Sequence, residues 1–385
     1  MTDYKKTIQQ LKKEGRYRKR ISTRSPQDVY LKVNNRTLSN FSSNNYLNLA
    51  NSSYLKNQFK TNISKYGIGS GSSPLISGYS IAHSNLEKRI SKLLGFESTL
   101  VTNSGYLSNV GLLNAVSKNK IDVFQDRENH NSIIESSRLS NTKLIRYKHL
   151  NYRDLEERIL SSDSKDKIIF ADSVFSMTGE KSDLIKLSSI AKKYKCLLFI
   201  DDAHGFGVSA YDNRIFPSSI NGLDKRKLNI DAYIGTFGKA IGTFGAFISG
   251  SKYLIDLLIQ KSKPYVYSTA LPPALASTTL DSINYIMKNK SITKRLESNI
   301  NFFKDLAGQN NIKVGFSNSP IQTMHIGDSK RVMSIQKKAQ MKNIYIQAIR
   351  YPTVPLNKDL IRINLTSDHS KKQIQSLIEF LKQVQ

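Results

Sequence analysis

The sequence predicts an α/β protein, with a mostly parallel sheet covered by helices and then a smaller α+β domain. Two observations carry this. Between residues 98 and 249, short apolar runs bounded by small or polar residues alternate with stretches of helical periodicity. Beyond about residue 280 the alternation gives way to longer helical patterns broken by isolated strand-like pieces. Strands alternating with helices bury both faces of a sheet and force parallel crossovers. A chain of 385 residues is long enough for two or three domains of about 150 residues each. The expected division is an N-terminal helix and hairpin arm (1–45), a large domain (46–275) and a C-terminal small domain (276–385).

In chain order, residues 3–21 read as a polar, basic helix with Ile8 and Leu11 as its few apolar positions. Residues 28–42 read as a hairpin turning at Asn34-Asn35. Leu86, Ile90, Leu93 and Leu94 share one face of a helix over 83–95, which Gly95 stops. Strands follow at 98–103, 121–126, 167–172, 196–201, 232–236 and 246–249, with helices at 105–117, 131–138, 152–161 and 184–194. The small domain begins with helical patterns at 275–307 and 330–342 around a strand near 322–326. Strands at 345–349 and 360–365 flank a Pro-rich turn, and a helix at 370–383 ends the chain.

The net charge is +28, from 58 Lys and Arg against 30 Asp and Glu. A polyanion partner such as nucleic acid is one reading. The dispersal of the basic residues favours a chain-wide compositional drift, since only Arg16 to Arg20 forms a dense cluster. The single cysteine, Cys196, excludes an intramolecular disulfide and a cysteine zinc site. The six histidines match no metal-ligand spacing, so no metal is expected. Without a leader-like apolar stretch or a run of roughly 20 apolar residues, a cytoplasmic protein off the membrane is expected.

Chemistry-bearing residues follow the strands directly, where open α/β sheets bind ligands. At 196–208 a hydrophobic strand ends in Asp201-Asp202, with His204 just beyond. A strand-end Asp can simply cap the next element. It can also protonate the nitrogen of a pyridoxal ring, which then accepts electrons from a substrate carbanion. At 231–245 a strand enters a Gly-rich turn carrying Lys239. The commonest fate of a lysine is a solvated surface charge. Thr236 and the glycines at 235, 238, 242 and 245 weigh against that, because they let a planar ligand approach an amine able to form a Schiff base. Ser104-Gly105-Tyr106 opens a helix whose N-terminus could hold a phosphate or be plainly capped. His130 opens another helix, where it is either an exposed loop residue or a clamp on a ring. Gly67, Gly69 and Gly71 do not make a dinucleotide fingerprint.

Taken in order, SSNNYL (42–47), GSGSSPLISGY (69–79), SIAHSNLE (80–87), NSGY (103–106), DRENHNSI (126–133), DSVFSMTGE (172–180), DDAHGFGV (201–208), TFGKA (236–240), YSTALPP (267–273), AIRYPTVP (348–355) and LIRINLT (360–366) resemble the α-oxoamine synthases. These are fold-type I, aspartate aminotransferase-like enzymes dependent on pyridoxal 5′-phosphate (PLP). The segments are most similar to the branch that forms 8-amino-7-oxononanoate. The resemblance implies condensation of L-alanine with pimeloyl-CoA or a pimeloyl-carrier protein, with loss of CO2, in biotin biosynthesis. It implies Lys239 as the Schiff-base lysine, Asp201 on the pyridinium nitrogen, His204 on the phenolic oxygen and His130 stacked on the ring. Ser176 and Thr236 are implied as further cofactor contacts, with Gly105 and Tyr106 near its phosphate or ring. Ser268 and Thr269 are implied as phosphate ligands donated across a homodimer. Asn44 and Arg362 are implied for the amino-acid carboxylate, and Arg18, Thr353 and Arg350 for the acyl donor. Two other readings stand beside this one. One is a sister synthase using glycine or serine with a different acyl-CoA. The other is a catalytically dead, basic, nucleic-acid-binding relative, which the intact residue set disfavours.

Overall fold

The computed structural model describes residues 3–14, 16–117, 121–209 and 215–385. The chain forms two compact units. The larger comprises Asn44–Ser176 and Glu180–Lys294; the smaller gathers Met1–Ser43, Met177–Gly179 and Arg295–Gln385.

The larger unit is built on a sheet of seven strands: β3 (Ser98–Thr102), β4 (Asp122–Asp126), β5 (Lys143–Tyr147), β6 (Lys167–Asp172), β7 (Leu197–Asp201), β8 (Ala232–Thr236) and β9 (Ala246–Gly250), in the order β3-β9-β8-β7-β6-β4-β5. Strands β8, β7, β6, β4 and β5 are mutually parallel. Strand β9 runs antiparallel to both β8 and β3, so it alone is reversed. The helices are α2 (Ser53–Tyr66), α3 (Ile81–Leu94), α4 (Gly105–Val116), α5 (Asn131–Leu139), α6 (Tyr152–Leu160), α7 (Leu184–Lys193), α8 (Lys252–Lys261), α9 (Lys263–Val266) and α10 (Pro273–Lys288). Leu112, Leu113, Ile133 and Leu258 bring α4, α5 and α8 onto Val123, Phe170, Phe199 and Ile234 of the sheet, all within 1% of full burial. Each such side chain contributes about 2 kcal/mol of transfer free energy.

In the smaller unit, β1 (Tyr30–Val33) and β2 (Arg36–Asn40) form the expected hairpin, with β11 (Ile344–Tyr345) parallel on β2. A second sheet has the order β10 (Ile321–His325), β13 (Leu360–Asn364), β12 (Gln347–Ile349), all antiparallel. Its helices are α1 (Tyr4–Lys13), α12 (Ser329–Met341) and α13 (Lys371–Val384). Helix α11 (Ser291–Gln309) contains the point at which the two units divide.

Several expectations change. The N-terminal helix stops at Lys13 rather than reaching residue 21; Gly15 lies outside the described residues. The amides of Arg16 and Tyr17 turn back onto the Leu11 carbonyl (2.8 and 3.1 Å). Extending the helix would also stack the like charges of Arg16 to Arg20 at helical spacing. The helical pattern at 275–307 splits into α10 and α11 around Asn289-Lys290, and 345–349 splits into β11 and β12. The expected boundary at 275/276 falls inside α10. That helix is fixed within the larger unit by Asn62 Nδ2, which donates to Thr278 Oγ1 and Asp281 Oδ2 (3.0 Å each).

Candidate active site

The reversal of β9 sets the geometry. The carboxyl ends of β3, β4, β6, β7 and β8 all lie along one edge of the sheet, where β9 begins (Thr102↔Ala246↔Thr236, Asp172↔Asp201). From that edge β3 leads to Gly105, β4 to His130, β6 to Ser176, β7 to His204, and β8 through Thr236 to Lys239.

Asp201 is buried, and its carboxylate is doubly held. Asn109 Nδ2 on α4 donates to Oδ2 at 2.7 Å, and the Ala203 amide donates to Oδ1 at 2.9 Å. The same Asn109 amide donates to Ser132 Oγ (2.8 Å). Ser132 in turn lies 2.7 Å from His130 Nδ1 and also points its backbone amide there (3.3 Å). His130 Nδ1 is therefore the acceptor, and the ring's proton sits on Nε2. The His130 backbone amide donates to Asp172 Oδ2 (2.6 Å). A single network thus ties the ends of β4, β6 and β7 to α4.

The electrostatics place Lys239 in this group. Burial lowers the pKa of His130, and the Lys239 charge pushes the same way, while Asp201 opposes. His130 is exposed as a residue, yet enough protein surrounds its ring to favour the neutral imidazole. Asp172 has a pKa well above the usual carboxylate range, first from burial and then from the neighbouring Asp201, with Lys239 pulling it back. Lys239 itself is half-buried. Beside it, Thr236 Oγ1 donates to the Ala203 carbonyl (3.3 Å).

His204 is buried, with Nδ1 2.7 Å from the Tyr46 hydroxyl, which also reaches Asn44 Oδ1 (3.2 Å). Asp202 plays a different part from Asp201. It is wholly buried and accepts from the Ser173, Ser219 and Tyr233 hydroxyls and the Ser219 amide, so it is a structural anchor behind the edge.

Ser268 and Thr269 line a separate cavity in the same unit, with Asn103, Glu87 and Tyr79. Asn103 Nδ2 donates to the Thr269 carbonyl (2.8 Å), while Thr269 and Tyr267 are exposed. Tyr106, next to Gly105, is also exposed. In the smaller unit, Arg18, Arg350 and Thr353 line one groove, and Arg18 Nη2 donates to Thr353 Oγ1 (3.2 Å). Arg362 is buried on β13, paired in register with Thr323 and Gln347.

Sequence reasoning missed Asn109, Ser132, Asp172 and Tyr46. Asp172 follows the same strand-end rule that exposed Asp201. Asn109 lies four residues after Gly105 and is a buried polar side chain on a largely apolar helix, GYLSNVGLLNAV.

Residues 36–381 match the sequence model of the class I and II aminotransferases. The chain belongs to that family. Within the aminotransferase family it groups with the 8-amino-7-oxononanoate synthases. Relatives of that name from Methylococcus capsulatus and Nitrosococcus oceani are each 34% identical to it, over 374 and 377 residues. Those matches cover 97% and 98% of this chain, and 96% and 99% of the relatives. The solved 8-amino-7-oxononanoate synthase from Francisella tularensis superposes with a TM-score of 0.77 at 28% identity, covering 90% of this aminotransferase-family chain and 97% of that one. Serine palmitoyltransferase from Sphingomonas wittichii shares the fold, with a TM-score of 0.91 at 21% identity over 99% and 96% of the two chains. Among the described residues no cluster could hold a metal ion, and no helix is long and apolar enough to cross a membrane.

Proposed function

We propose that this chain is a PLP-dependent acyltransferase, working as a cytoplasmic homodimer. It condenses L-alanine with a pimeloyl thioester, on CoA or a carrier protein, to give 8-amino-7-oxononanoate, CO2 and the free thiol. The observation that carries this is the convergence of Lys239, His130 and the Asn109-held Asp201 on one edge of the sheet.

The residues fit the cofactor. Gly105 packs so closely on Thr236 that a Cβ there would lie 2.7 Å from Thr236 Cγ2, so the bare backbone brings the start of α4 up to the Thr236 edge. At the start of α4, Ser104 Oγ caps the Leu107 amide (3.3 Å), and the Gly105 and Tyr106 amides precede the first intrahelical bond, the place a phosphate would use. Asn109 Oδ1 is buried without a hydrogen-bond partner, so this residue is kept for the donors it aims at Asp201 and Ser132.

Lys239 would hold the aldehyde carbon, Asp201 the ring nitrogen with its proton, His204 the ring oxygen and neutral His130 one ring face. Ser176, Thr236, Gly105 and Tyr106 would complete the seat. When bound, the pyridoxal group supplies an electron sink for charge developing at the amino-acid Cα. The Lys239 amine, once displaced by alanine, is placed to take the Cα proton and later return one. Asp201 keeps the ring-nitrogen proton in place throughout, and the Asn109 bond keeps Asp201 aimed. Asn44, joined to His204 through Tyr46, and Arg362 on β13 are the groups for the amino-acid carboxylate. Arg18, Thr353 and Arg350 are the groups for the acyl donor. The homodimer draws support from a large unit that leaves Ile68, Ile76 and Tyr267 84%, 80% and 81% exposed, with Ser268-Thr269 beside Tyr267.

The test is borohydride reduction of the yellow purified protein, peptide mapping, and spectra with L-alanine, glycine and L-serine in turn. The label is expected on Lys239, with alanine the strongest perturbant. Lys239→Ala should abolish turnover without unfolding the chain. A label on another lysine, or near-wild-type turnover in Lys239→Ala, would sink the assignment. A response to glycine or serine alone would move the chain to a sister synthase. Absence of chromophore with steeply salt-dependent nucleic-acid binding would make it a non-catalytic relative.

A further inference from the structure

Three segments of the larger unit meet at His149, in the turn between β5 and α6. Its Nδ1–H donates to Asp126 Oδ1 at the end of β4 (2.8 Å), and its Nε2–H donates to Glu180 Oε2 (3.1 Å). The Phe175 ring stands at 85° to the imidazole, with centroids 4.5 Å apart. A neutral imidazole carries one N–H and could serve only one of these two carboxyl groups. Both bonds together require the doubly protonated ring. Asp126 is wholly buried, and it also accepts the Glu128 amide at Oδ1 and the Leu150 amide at Oδ2 (2.8 Å each). Leu150 holds a left-handed φ of 51°, a conformation that a residue with a side chain adopts at a cost. Burial by itself would lower the pKa of His149, but the bonds and charges of Asp126 and then of Glu180 outweigh it and hold the value above 6.5. Lys181 interacts with Asp202, and Tyr147 and Tyr152 interact with Asp126, so Asp126 and Glu180 are the charges that act on the ring.

We infer that His149 is a positioning residue for the cofactor seat: as a cation it ties the loop that carries His130 to the hairpin that carries Ser176. This rests on the PLP reading above and adds a residue to it. On one side the chain turns out of β4 with the Asn129 amide on the Asp126 carbonyl (3.1 Å), and His130 comes next. On the other, Val174 bridges Lys181 in antiparallel fashion, and the Phe175 amide donates to the Glu180 carbonyl (2.9 Å). Ser176 follows Phe175, the residue against the imidazole ring. Neither His130 nor Ser176 touches His149 directly; each is held through the backbone next to a group that His149 bonds. The tie is complete below the ordinary histidine value. It is lost as pH rises through the raised one, because a ring nitrogen without its proton then faces the Glu180 carboxylate.

The test compares PLP affinity of wild type, Glu180→Gln and His149→Gln between pH 6 and 9, with circular dichroism to confirm folding. Glu180 has a side chain 38% exposed, so its variant should fold even if His149→Gln does not. At pH 6 each folded variant should bind PLP about three- to fivefold more weakly than wild type, the scale of a partly exposed ion pair. The gap should close by pH 9, where the wild-type ring has lost its second proton. A merely structural role would leave a constant gap, and that result would overturn the inference. Nitrogen NMR of the histidine-labelled full chain gives a second readout that needs no turnover. The His149 signals, assigned by their loss in His149→Gln, should show both ring nitrogens protonated at pH 6. A ring with a single proton there would also overturn the inference. A chain that binds no PLP at any pH would refute the cofactor reading itself and this role with it, an outcome distinct from a bound chromophore with a constant gap.

Discussion

Replacing Asn109 with alanine isolates the device that holds Asp201. The substitution removes the 2.7 Å donor to Oδ2 and the 2.8 Å donor to Ser132, while the Ala203 amide stays on Oδ1. A hydrogen bond to a charged group is worth about 1.5–3 kcal/mol net. At 1.4 kcal/mol per tenfold, cofactor affinity should weaken roughly 10- to 100-fold. With saturating PLP, exchange of the alanine Cα proton should still be slower, because the carboxylate is no longer aimed. Asn109→Asp should be worse, since two carboxyl groups at that separation cannot both ionise and must share a proton. The assay is a PLP titration followed by absorbance, with Cα proton exchange by NMR and circular dichroism to confirm folding. Cofactor affinity and exchange rate both within twofold of wild type in a folded Asn109→Ala would refute the claim that Asn109 positions Asp201.

Two pH effects follow from other buried groups. His369 stacks on Phe41 (4.2 Å), bonds the Asn40 carbonyl through Nε2 and accepts the Thr366 amide at Nδ1. A second ring proton would face that amide, and burial holds the pKa down from 6.5 to about 4. Stability should be unaffected above the unfolded value near 6.5 and fall by up to about 3 kcal/mol as pH drops toward 4. Denaturant melts of wild type and His369→Gln at pH 7, 5.5 and 4.5 check this, and equal slopes would count against it. Glu87 bonds the Tyr79 hydroxyl (2.6 Å) and the Val101 amide (2.9 Å), and burial raises its pKa from 4.5 to about 7. That contribution is complete below the unfolded value and is lost as pH rises through about 7. Glu87→Gln should therefore gain on wild type by about 2 kcal/mol between pH 5 and 8, and a gap constant across that range would contradict the shift.

The sheet was legible because each internal strand is a short apolar run ending at a polar residue, as Cys196 to Asp201 shows. Helix α2 was not, since only Leu55 and Asn62 are buried on it and it carries little periodicity. Strand β5 was missed because it lies at the sheet edge, with Tyr147 its one buried side chain. Lys239, Asp201, His130 and His204 could be singled out because each sits at the end of a strand or just past one, so local context marks it. Asn109, Asp172 and Tyr46 act through partners 92, 42 and 158 residues away. No local pattern encodes such a pairing; it appears only once the strands have been laid side by side.

The backwards course of β9 has a consequence for how the amine can move. Rungs Thr236↔Ala246 and Gly235↔Phe247 close the base of the turn bearing Lys239, and three more backbone bonds cross within it: Phe237 to Gly245 (2.9 Å), Thr243 to Phe237 (2.9 Å) and Gly242 to Lys239 (3.0 Å). A lysine on a crossover helix would ride with that helix; here the backbone is riveted, and travel is confined to the four methylenes of one side chain. In the proposed reaction, a nitrogen on so short a leash would stay in place when its bond is exchanged, and the same atom would be at hand for the next step.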